Sequence, residues 1–505
     1  MKAIVSVYYK EGLEPLVKAL VEKGYQIIST GGTAKFIKEL GYKVLPVEEL
    51  TGFPEILEGR VKTLHPMVHG GILFRDWVEK DRKEIQKLGI EPIDIVVVNL
   101  YPFEEKLRED LQEQELMEFV DIGGPTLIRA SAKNFYRVGV VVDPSDYKWV
   151  AERIRDGGLT LEERKKLAVK AFSMTAYYDA LISKALASMF DIDQPQEYSA
   201  LPLKLSGALR YGENPHQRGW LFENPLEDLG TARSKVLQGK EMSFNNYLDT
   251  DSALRLVSEF SQPACVIVKH NNPCGVAVAK DLKEAFHKAY ESDPESAFGG
   301  IVAFNDKVDK GLAEKLTELF LEVIIAPEFS EEALEVFSKK KNLRVVQALG
   351  FSFSFDIKKI SGGYLIQEED NLDYESLHTV SQRHPSDEEY RDLLFAWKVC
   401  KYVKSNAVVI AKNGRTLGIG SGNVSRVDSL RCAIAKAQRF RFDLSGSVMA
   451  SEAFLPFKDS VDIAHEAGIT SIIQPGGSIR DKEVIQSVDQ YNMAMVFTKT
   501  RHFRH

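Results

Sequence analysis

From Ala3 to Val142 the chain alternates short apolar runs with amphipathic stretches. The apolar runs, rich in β-forming residues, lie at 3–7, 26–29, 93–100 and 138–142. Between the first two, apolar side chains recur with helical spacing from Leu13 to Val21, which predicts a helix of about three turns. Strands that alternate with helices predict a parallel sheet flanked by helices, so the first part of the chain is expected to be an α/β domain.

The pattern then predicts a long helix and a linker. Leu161 to Phe190 is rich in Ala, Leu, Lys and Glu without an internal Pro or Gly, and a polar segment with two prolines follows at 191–202. Such a segment is typical of a linker. The remainder is again mixed α/β, and Ser361-Gly362-Gly363 with the acidic run 368–373 suggests a second boundary between 355 and 385. No fixed-period repeat is visible.

Further elements and the expected domains follow from the same pattern. Strands are predicted at 265–269, 301–304, 323–326, 407–411 and 493–497, and a helix at 387–403. We expect domains at 1–190, 203–370 and 371–505, with a linker at 191–202.

Composition and charge exclude several classes of protein. The 505 residues are 44% hydrophobic and 27% charged, which is ordinary for a folded globular chain. With 65 Lys and Arg against 73 Asp and Glu, the net charge of −8 has the wrong sign for a general nucleic-acid binder. Four widely spaced cysteines do not form a disulfide framework or a CxxC zinc pair. The sequence has no signal-peptide pattern and no apolar run of about 18 residues, so we expect a cytoplasmic protein without membrane or nucleic-acid partners.

A glycine-rich turn follows the second apolar run. Ser29-Thr30-Gly31-Gly32-Thr33 stands where a strand ends and a helical pattern begins. Free N–H groups at a helix start, with glycines that allow close approach, can bind a phosphate. The alternative is a tight turn with an ordinary helix cap. The motif is neither GxxxxGK[ST] nor GxGxxG, so neither of those nucleotide-binding motifs is present.

Three more clusters in the first domain carry candidate chemistry. Gly59 to Pro66 (GRVKTLHP) places two cations in a loop bounded by Gly and Pro, although a solvated basic loop is an equal alternative. Tyr101 follows an apolar strand, at the end where open α/β sheets bind ligands. Asp121 precedes a helical pattern that ends near Lys133. A capped strand, a helix cap and a dipole-stabilised lysine are the alternatives, and each is the better explanation of its residue taken alone.

The most informative motif of the second part is Lys269 to Gly275 (KHNNPCG). An apolar strand delivers a Lys and a His into a loop of amides, so a general base stands beside a fixed cation. A structural strand-end His is the alternative. A zinc deaminase would need Glu at the position of Asn272 and Cys at Ala277, so we reject a zinc site.

Other motifs add anion-binding and aromatic groups. Arg210 to Gln217 (RYGENPHQ) predicts a loop whose Arg suits phosphate or carboxylate, with an exposed inter-domain loop as the alternative. Asn406 precedes a strand, and Gly420 to Arg426 (GSGNVSR) offers glycines, hydroxyls and an Arg. Ser451 to Asp459 mixes aromatic surface with charge, and the chain ends in RHFRH.

Together these motifs closely resemble one family, the bifunctional AICAR transformylase/IMP cyclohydrolases of late purine synthesis. STGGTAK, GRVKTLHP, NLYPF, DIGG, RYGENPHQ, KHNNPCG, GSGNVSR, SEAFLPF and RHFRH occur in the family's order along essentially the whole chain. The resemblance implies an α/β fold: an N-terminal parallel-sheet domain like that of methylglyoxal synthase, followed by two cytidine-deaminase-like α/β subdomains that lack zinc.

The resemblance also implies the reactions and the partners. The second part would transfer a formyl group from 10-formyltetrahydrofolate, a co-substrate, to AICAR. The N-terminal domain would close formyl-AICAR to IMP with loss of water. Folate, AICAR, formyl-AICAR and IMP would be the ligands, a homodimer the assembly, and no metal would be required for catalysis, with a structural potassium ion left open.

Site residues carried over by motif fall into three sets. The catalytic set is Lys62, Tyr101, Asp121 and Lys133 for the cyclohydrolase, and Lys269, His270 and Asn406 for the transformylase. The nucleotide and phosphate set is Ser6, Lys10, Ser29, Thr30, Gly31, Gly32, Thr33, Arg60, Thr63, Arg210, Tyr211, His216, Asn245 and Arg501. The folate set is Arg426, Phe454 and Asp459.

The resemblance implies a role for each transformylase residue. His270 would remove a proton from the 5-amine, Lys269 would stabilise the oxyanion or protonate the folate nitrogen, and Asn406 would orient the substrate. For the cyclisation, Lys and Tyr would polarise the formyl oxygen while the site brings the carboxamide nitrogen within attack distance. The alternative function is a non-catalytic purine nucleotide-binding regulatory protein, which would not need these groups.

Overall fold

The structure, a computed structural model, describes residues 1–192, 195–352 and 355–505. Positions 193 and 194 of the predicted linker, and 353 and 354 of the first predicted subdomain, lie outside the described residues. The chain forms two compact units: unit 1 is Met1–Lys204 with Asn224–Leu226, and unit 2 is Leu205–Glu223 with Glu227–His505. In the described part, no helix combines the length and the apolar character needed to cross a membrane. The finer predicted boundaries stay predictions.

Unit 1 is built on a five-stranded, entirely parallel sheet in the order β3-β2-β1-β4-β5. Its strands are β1 (Lys2–Ser6), β2 (Gln26–Ser29), β3 (Val44–Pro46), β4 (Ile95–Val98) and β5 (Gly139–Val141). Ile4, Ile28 and Val96 are fully buried, because both faces of such a sheet are covered. The predicted parallel sheet is confirmed.

The described residues of this unit form ten α-helices. They are α1 (Glu14–Glu22), α2 (Gly31–Glu39), α3 (Val47–Thr51), α4 (Pro66–Leu73), α5 (Glu79–Lys87), α6 (Phe103–Lys106), α7 (Glu113–Met117), α8 (Gly123–Lys133), α9 (Tyr147–Arg155) and α10 (Leu161–Met189). The predicted long helix is α10, and Thr160 and Glu163 start it with a capping box in which each side chain accepts from the other residue's backbone N–H.

The strands from residue 204 onward form one large sheet and two small ones. They are β6 (Lys204–Leu209), β7 (Gly219–Glu223), β8 (Lys235–Gln238), β9 (Ala264–Lys269), β10 (Asn272–Val278), β11 (Ile301–Phe304), β12 (Val323–Ala326), β13 (Arg344–Gln347), β14 (Phe355–Ile360), β15 (Gly363–Glu368), β16 (His378–Thr379), β17 (Val408–Lys412), β18 (Arg415–Gly420), β19 (Ser447–Ser451), β20 (Ile469–Gln474) and β21 (Ala494–Phe497). The large sheet has the order β16-β21-β20-β19-β17-β18-β10-β9-β11-β12-β13-β8.

The helices of unit 2 are α11 (Phe244–Val257), α12 (Leu282–Ser292), α13 (Pro294–Ala297), α14 (Lys310–Leu316), α15 (Glu331–Ser338), α16 (Asp387–Lys401), α17 (Arg426–Arg439), α18 (Asp459–Glu466) and α19 (Asp481–Gln490). The helix predicted at 387–403 is α16. Its start is fixed by a capping box of Ser386 and Glu389.

The large sheet contains the same arrangement twice. In each half a helix leads into an antiparallel hairpin, β9–β10 or β17–β18, and one strand, β11 or β19, adds antiparallel to the hairpin. Two further strands then add in parallel. The halves meet where β10 pairs antiparallel with β18. Because β10 and β18 are antiparallel, the two hairpins point in opposite directions. The β9–β10 turn and the β17–β18 turn therefore lie at opposite ends of the strands.

A glycine in each hairpin shows how alike the two halves are. Gly275 in β10 lies against the Ala289 carbonyl of α12, and Gly418 in β18 lies against the Ala433 carbonyl of α17. A Cβ at either glycine would overlap the helix carbonyl oxygen. Each half therefore needs glycine at this position to let its helix pack closely on the sheet.

We expect Gly418→Ala to lower the free energy of unfolding by about 2 kcal/mol, because the helix must move away from β18 to admit the methyl group. Urea titration followed by circular dichroism measures the change. Gly207→Ala in β6 is the matched control, since nothing lies within 4 Å of its Cβ position. Equal effects of the two substitutions would contradict the proposed close packing.

Candidate functional sites

A cavity of about 630 Å³ lies in unit 1, at the carboxyl ends of β1, β2 and β4. The N-termini of α2 and α8 also border it. This is the edge at which open α/β sheets bind ligands. The predicted site residues that line it are Ser6, Lys10, Thr30, Gly31, Gly32, Thr33, Arg60, Lys62, Thr63, Tyr101 and Asp121.

The α2 end of the cavity is an uncapped helix N-terminus. Thr30 stands at the cap position, but its side chain makes no capping bond among the described residues. Its hydroxyl lies 3.3 Å from that of Ser6 instead. The first N–H groups of α2 are therefore available to an anion, and Gly31, with a φ of 45°, brings the backbone to the cavity without a side chain.

Two hydroxyls of the predicted phosphate-binding turn, those of Ser29 and Thr33, form hydrogen bonds within the protein. Ser29 does not line the cavity, because its side chain is fully buried and donates to the Val5 carbonyl at 2.6 Å. Thr33 lines the cavity, but its hydroxyl accepts from the Val7 N–H and donates to the Val7 carbonyl. The Ser29 hydroxyl is therefore bonded within the protein, and Thr33 offers its backbone rather than a free hydroxyl; the ligand contacts of both residues stay predictions.

Lys62 reaches the same helix end from a different loop. The Cβ position of Gly31 lies 3.6 Å from the Lys62 Nζ, and the ammonium pairs with Glu55 at 3.0 Å. The side chain is about one quarter exposed. A fixed cation thus stands at the uncapped N-terminus of α2.

Asp121 is held at the N-terminus of α8. Its Oδ1 accepts from the Gly124 N–H at 2.7 Å, and its own N–H donates to the Tyr178 hydroxyl at 2.9 Å. Burial raises the pKa of the Asp121 carboxyl, while hydrogen bonds from the Gly124 and Tyr101 backbone partly oppose the shift. A carboxyl with a raised pKa in a cleft is a candidate proton acceptor.

Tyr101 and Arg60 frame the opening of the cavity. Tyr101 is 43% exposed, and its ring packs edge-to-face with that of Tyr8 at 6.1 Å. Arg60 forms an exposed ion pair with Glu118, which also lines the cavity. Lys133, at the last turn of α8, is not among the described residues that line the cavity, so its catalytic role stays a prediction.

Asn99 is a lining residue that our sequence reasoning did not select. Its Oδ1 accepts from the N–H groups of Tyr8 and Tyr9, and its Nδ2 donates to the Tyr147 hydroxyl at 2.9 Å. The side chain therefore fixes the loop that follows β1 and carries Lys10. A buried amide directly after an apolar strand was the available signal.

In unit 2, Lys269 and His270 lie at the β9–β10 turn. The Lys269 Nζ donates to the Phe298 carbonyl at 2.7 Å, and His270 is exposed. Asn272, at the start of β10, accepts through Oδ1 from the Lys404 N–H at 3.1 Å. This bond ties the Lys-His turn to the segment that carries Asn406, so the structure brings the three predicted catalytic residues to one edge of the sheet.

Asn406 is oriented by Arg426. Asn406 Nδ2 donates to the Asn423 carbonyl at 2.9 Å, and its Oδ1 accepts from Arg426 Nη2 at 2.9 Å. The guanidinium of Arg426 is buried and pairs with Glu452, whose side chain is fully buried. The charge of Arg426 is thus already balanced inside the protein. Arg426 therefore positions Asn406, and its predicted folate contact stays a prediction.

The C-terminal segment lies beside these residues. His502 N–H donates to the Glu452 carbonyl at 3.0 Å, and Ser405 N–H donates to the Arg504 carbonyl at 2.9 Å. Arg501 is exposed and stacks on the Phe503 ring at 4.2 Å, and Phe454 is 39% exposed. The backbone of the chain end is therefore hydrogen-bonded to this edge of the sheet.

The remaining predicted residues of unit 2 lie near the start of α11 and the start of α18. Asn245 Nδ2 donates to the Glu213 carbonyl at 3.1 Å, which holds the RYGENPHQ loop at α11. In that loop Arg210 lies over the Tyr211 ring at 5.0 Å, and His216 is exposed. Asp459 is exposed at the first residue of α18. The ligand contacts of these residues stay predictions.

A second cavity, of about 760 Å³, lies around the β17–β18 turn and contains none of the predicted site residues. Asp392, Asn413 and Gly414 are part of its lining. Within the described ranges, no group of three or more His, Cys, Asp or Glu side chains could hold a metal ion.

Comparison with known proteins assigns the chain to a family. A model of the AICARFT/IMPCHase bienzyme matches residues 131–436, and a model of the MGS-like domain matches residues 12–126. The bifunctional purine biosynthesis protein PurH of Aquifex aeolicus (strain VF5) is 66% identical over 506 residues, with 100% of both chains covered. PurH of Persephonella marina (strain DSM 14350 / EX-H1) is 53% identical and covers 100% of this chain and 99% of its own. A solved structure, the crystal structure of ForH, is 37% identical and covers 37% of this chain and 97% of that one, with a TM-score of 0.35. The chain belongs to the AICARFT/IMPCHase bienzyme family.

Proposed function

We propose that the cavity of unit 1 is the IMP cyclohydrolase site and that the edge of unit 2 around Lys269, His270 and Asn406 is the AICAR transformylase site. As a member of its family, the chain is a bifunctional enzyme of purine biosynthesis with these two activities. The comparisons give no support to a non-catalytic regulatory protein. The two reactions are therefore assigned to separate units of one chain.

In the cyclohydrolase site the nucleotide phosphate would bind at the N-terminus of α2. The uncapped N–H groups there offer donors, and Lys10 lines the same cavity and supplies positive charge. Arg60 is also close enough to contribute once it leaves Glu118. This placement would direct the base of formyl-AICAR toward Tyr101 and Asp121.

Ring closure needs a positioned nucleophile and a stabilised oxyanion. The carboxamide nitrogen attacks the formyl carbon and a C–N bond forms. The carboxamide nitrogen and the 5-formamido nitrogen each lose one proton, and the former formyl oxygen leaves with two protons as water. The Asp121 carboxylate, with its raised pKa, would accept the proton from the nitrogen. The Tyr101 hydroxyl and the Lys62 ammonium would stabilise the developing oxyanion.

In the transformylase site the 5-amine of AICAR attacks the formyl carbon of 10-formyltetrahydrofolate. His270 would take the proton that the amine loses, and the bond from the formyl carbon to the folate nitrogen breaks. Lys269 would stabilise the oxyanion or return a proton to the departing nitrogen. Asn406, oriented by Arg426, would hold the reacting groups.

Family membership implies formyltetrahydrofolate as the co-substrate. We extend this proposal to a homodimeric, cytoplasmic enzyme whose catalysis needs no metal. These three properties are implied by the resemblance of the sequence to the family. A structural potassium ion also stays a prediction. Phe454 would pack against a heteroaromatic ring, and Arg501 would recognise an anion.

The proposal depends above all on Lys62, a fixed cation at the uncapped N-terminus of α2. We expect Lys62→Ala to lower cyclohydrolase kcat by about 100-fold, because one oxyanion donor is lost, and to leave the transformylase unchanged. Lys269→Ala should lower the transformylase kcat and leave the cyclohydrolase unchanged. The assay measures tetrahydrofolate release and IMP formation, and separately IMP formation from added formyl-AICAR. If either substitution removed both activities, or neither, the assignment of one reaction to each unit would be wrong.

A further inference from the structure

The turn that presents His270 has an unusual backbone. His270 and Asn271 connect β9 and β10, and both have positive φ, 53° and 60°. A two-residue hairpin loop with positive φ at both positions is a type I′ turn, for which Asn-Gly is the favoured sequence. A histidine is less suited than a glycine to this conformation, because its Cβ crowds the backbone at positive φ. The turn therefore needs support from elsewhere in the protein.

Asp249 of α11 supplies this support. Its Oδ2 accepts from the His270 N–H at 3.1 Å, and its Oδ1 accepts from the Asn271 N–H at 2.7 Å. Both carboxylate oxygens are thus directed at the two residues of the turn. Because the backbone of His270 is fixed in this way, the direction of its imidazole is limited to the rotamers that the turn allows.

The other half of unit 2 provides an internal comparison. Asn413 and Gly414 connect β17 and β18 with φ values of 54° and 68°. Asp392 of α16 accepts from both of their N–H groups, at 2.7 and 2.8 Å. The geometry is the same, but the sequence is the favoured Asn-Gly. Both halves have the carboxylate and the turn, but the first half has a histidine at the position where the second half has an asparagine.

From this comparison we infer that Asp249 is a positioning residue of the transformylase: its carboxylate holds the His270-Asn271 turn in the conformation that aims His270 at the substrate amine. The inference rests on the proposed role of His270. Asp249 acts on the reaction only through the turn, whereas Asp392 performs the same structural task at a turn remote from the reaction.

The test compares Asp249→Asn with Asp392→Asn in the full-length protein. An amide has one acceptor oxygen, so its NH₂ group faces the second backbone N–H and the turn loses one of its two bonds. For Asp249→Asn we expect the transformylase kcat to fall at least about 10-fold, since small misplacements of a catalytic group have effects of this size. The KM values for AICAR and 10-formyltetrahydrofolate should change less than twofold. Asp392→Asn should keep the wild-type kcat.

Two further readouts separate positioning from general destabilisation. Hydrogen exchange measured by mass spectrometry should rise in the peptide around His270 for Asp249→Asn, and around Asn413 for Asp392→Asn. Both variants should keep full cyclohydrolase activity on formyl-AICAR. If Asp249→Asn does not fold, Asp249→Glu is compared with Asp392→Glu, because glutamate keeps the carboxylate but displaces it by one methylene group.

A wild-type kcat in Asp249→Asn, or an equal loss in the two variants, would overturn the inference. Failure of the proposed function is distinguishable from this result. If Lys269→Ala retained full transformylase activity, the site itself would be misassigned. If Lys269→Ala were inactive while Asp249→Asn was fully active, only the positioning role would be wrong.

Discussion

Replacing His270 by asparagine is expected to lower the transformylase kcat by about 1000-fold, within the range associated with the loss of a general base. Asparagine removes the proton acceptor and keeps the backbone, because it adopts positive φ more readily than other non-glycine residues. Asn413 already occupies the equivalent position of the second hairpin with a φ of 54°. The substitution therefore tests the chemistry of the imidazole without disturbing the turn. Tetrahydrofolate release at saturating substrates measures kcat.

The reverse exchange is the matched control for this prediction. Asn413→His places a histidine in the second turn, which Asp392 also holds, and we expect wild-type transformylase activity. In both variants the formation of IMP from formyl-AICAR should be unchanged, because that reaction is assigned to unit 1. A His270→Asn enzyme with more than one tenth of the wild-type kcat would mean that another group takes the proton.

The fold was largely predictable because its strands are short, apolar and well separated. The four runs predicted between Ala3 and Val142 correspond to β1, β2, β4 and β5, within two residues at each end. The residue pattern by itself did not reveal the internal duplication of unit 2, which only the family resemblance implied. Val266, Ile267, Lys269 and Gly275 recur as Val409, Ile410, Lys412 and Gly418, but the positions between them differ. A sheet repeat requires only the same burial pattern and backbone, so few identical residues remain.

The candidate sites were also predictable only in part: the sequence marked their loops but not the partners of their side chains. Motifs rich in Gly, Lys, His and Asn marked the loops at the sheet edges, because Lys and Asn are mostly exposed in folded proteins and Gly and Asn favour turns. The partner of each side chain depended on residues distant in sequence. Ser29 faces the Val5 carbonyl, and Arg426 faces Glu452, which no local pattern reveals. Asp249, on the first turns of α11, looked like an ordinary polar residue of a helix surface.

The buried pair of Arg426 and Glu452 leads to the largest expected change in stability. Glu452→Gln should lower the free energy of unfolding by about 3–5 kcal/mol, because the Arg426 charge would remain buried without its counterion. The second oxygen of Glu452, Oε1, is buried and has no hydrogen-bond partner among the described residues. The ion pair with Arg426 must therefore offset most of the cost of removing the Glu452 carboxylate from water. Urea titration and calorimetry measure the loss. Glu318→Gln, in an exposed pair with Lys315, is the control and should change stability by less than about 1 kcal/mol.

A double replacement separates stability from positioning. In Arg426→Leu/Glu452→Leu both charges are removed together, and an apolar pair of similar size is often as stable as the buried ions it replaces. We therefore expect stability to return to within about 1 kcal/mol of the wild type. The transformylase kcat should stay at least about 10-fold low, because Asn406 loses the donor that orients its carbonyl oxygen. Recovery of both stability and kcat would show that Arg426 serves only to balance Glu452, and that Asn406 needs no partner to act.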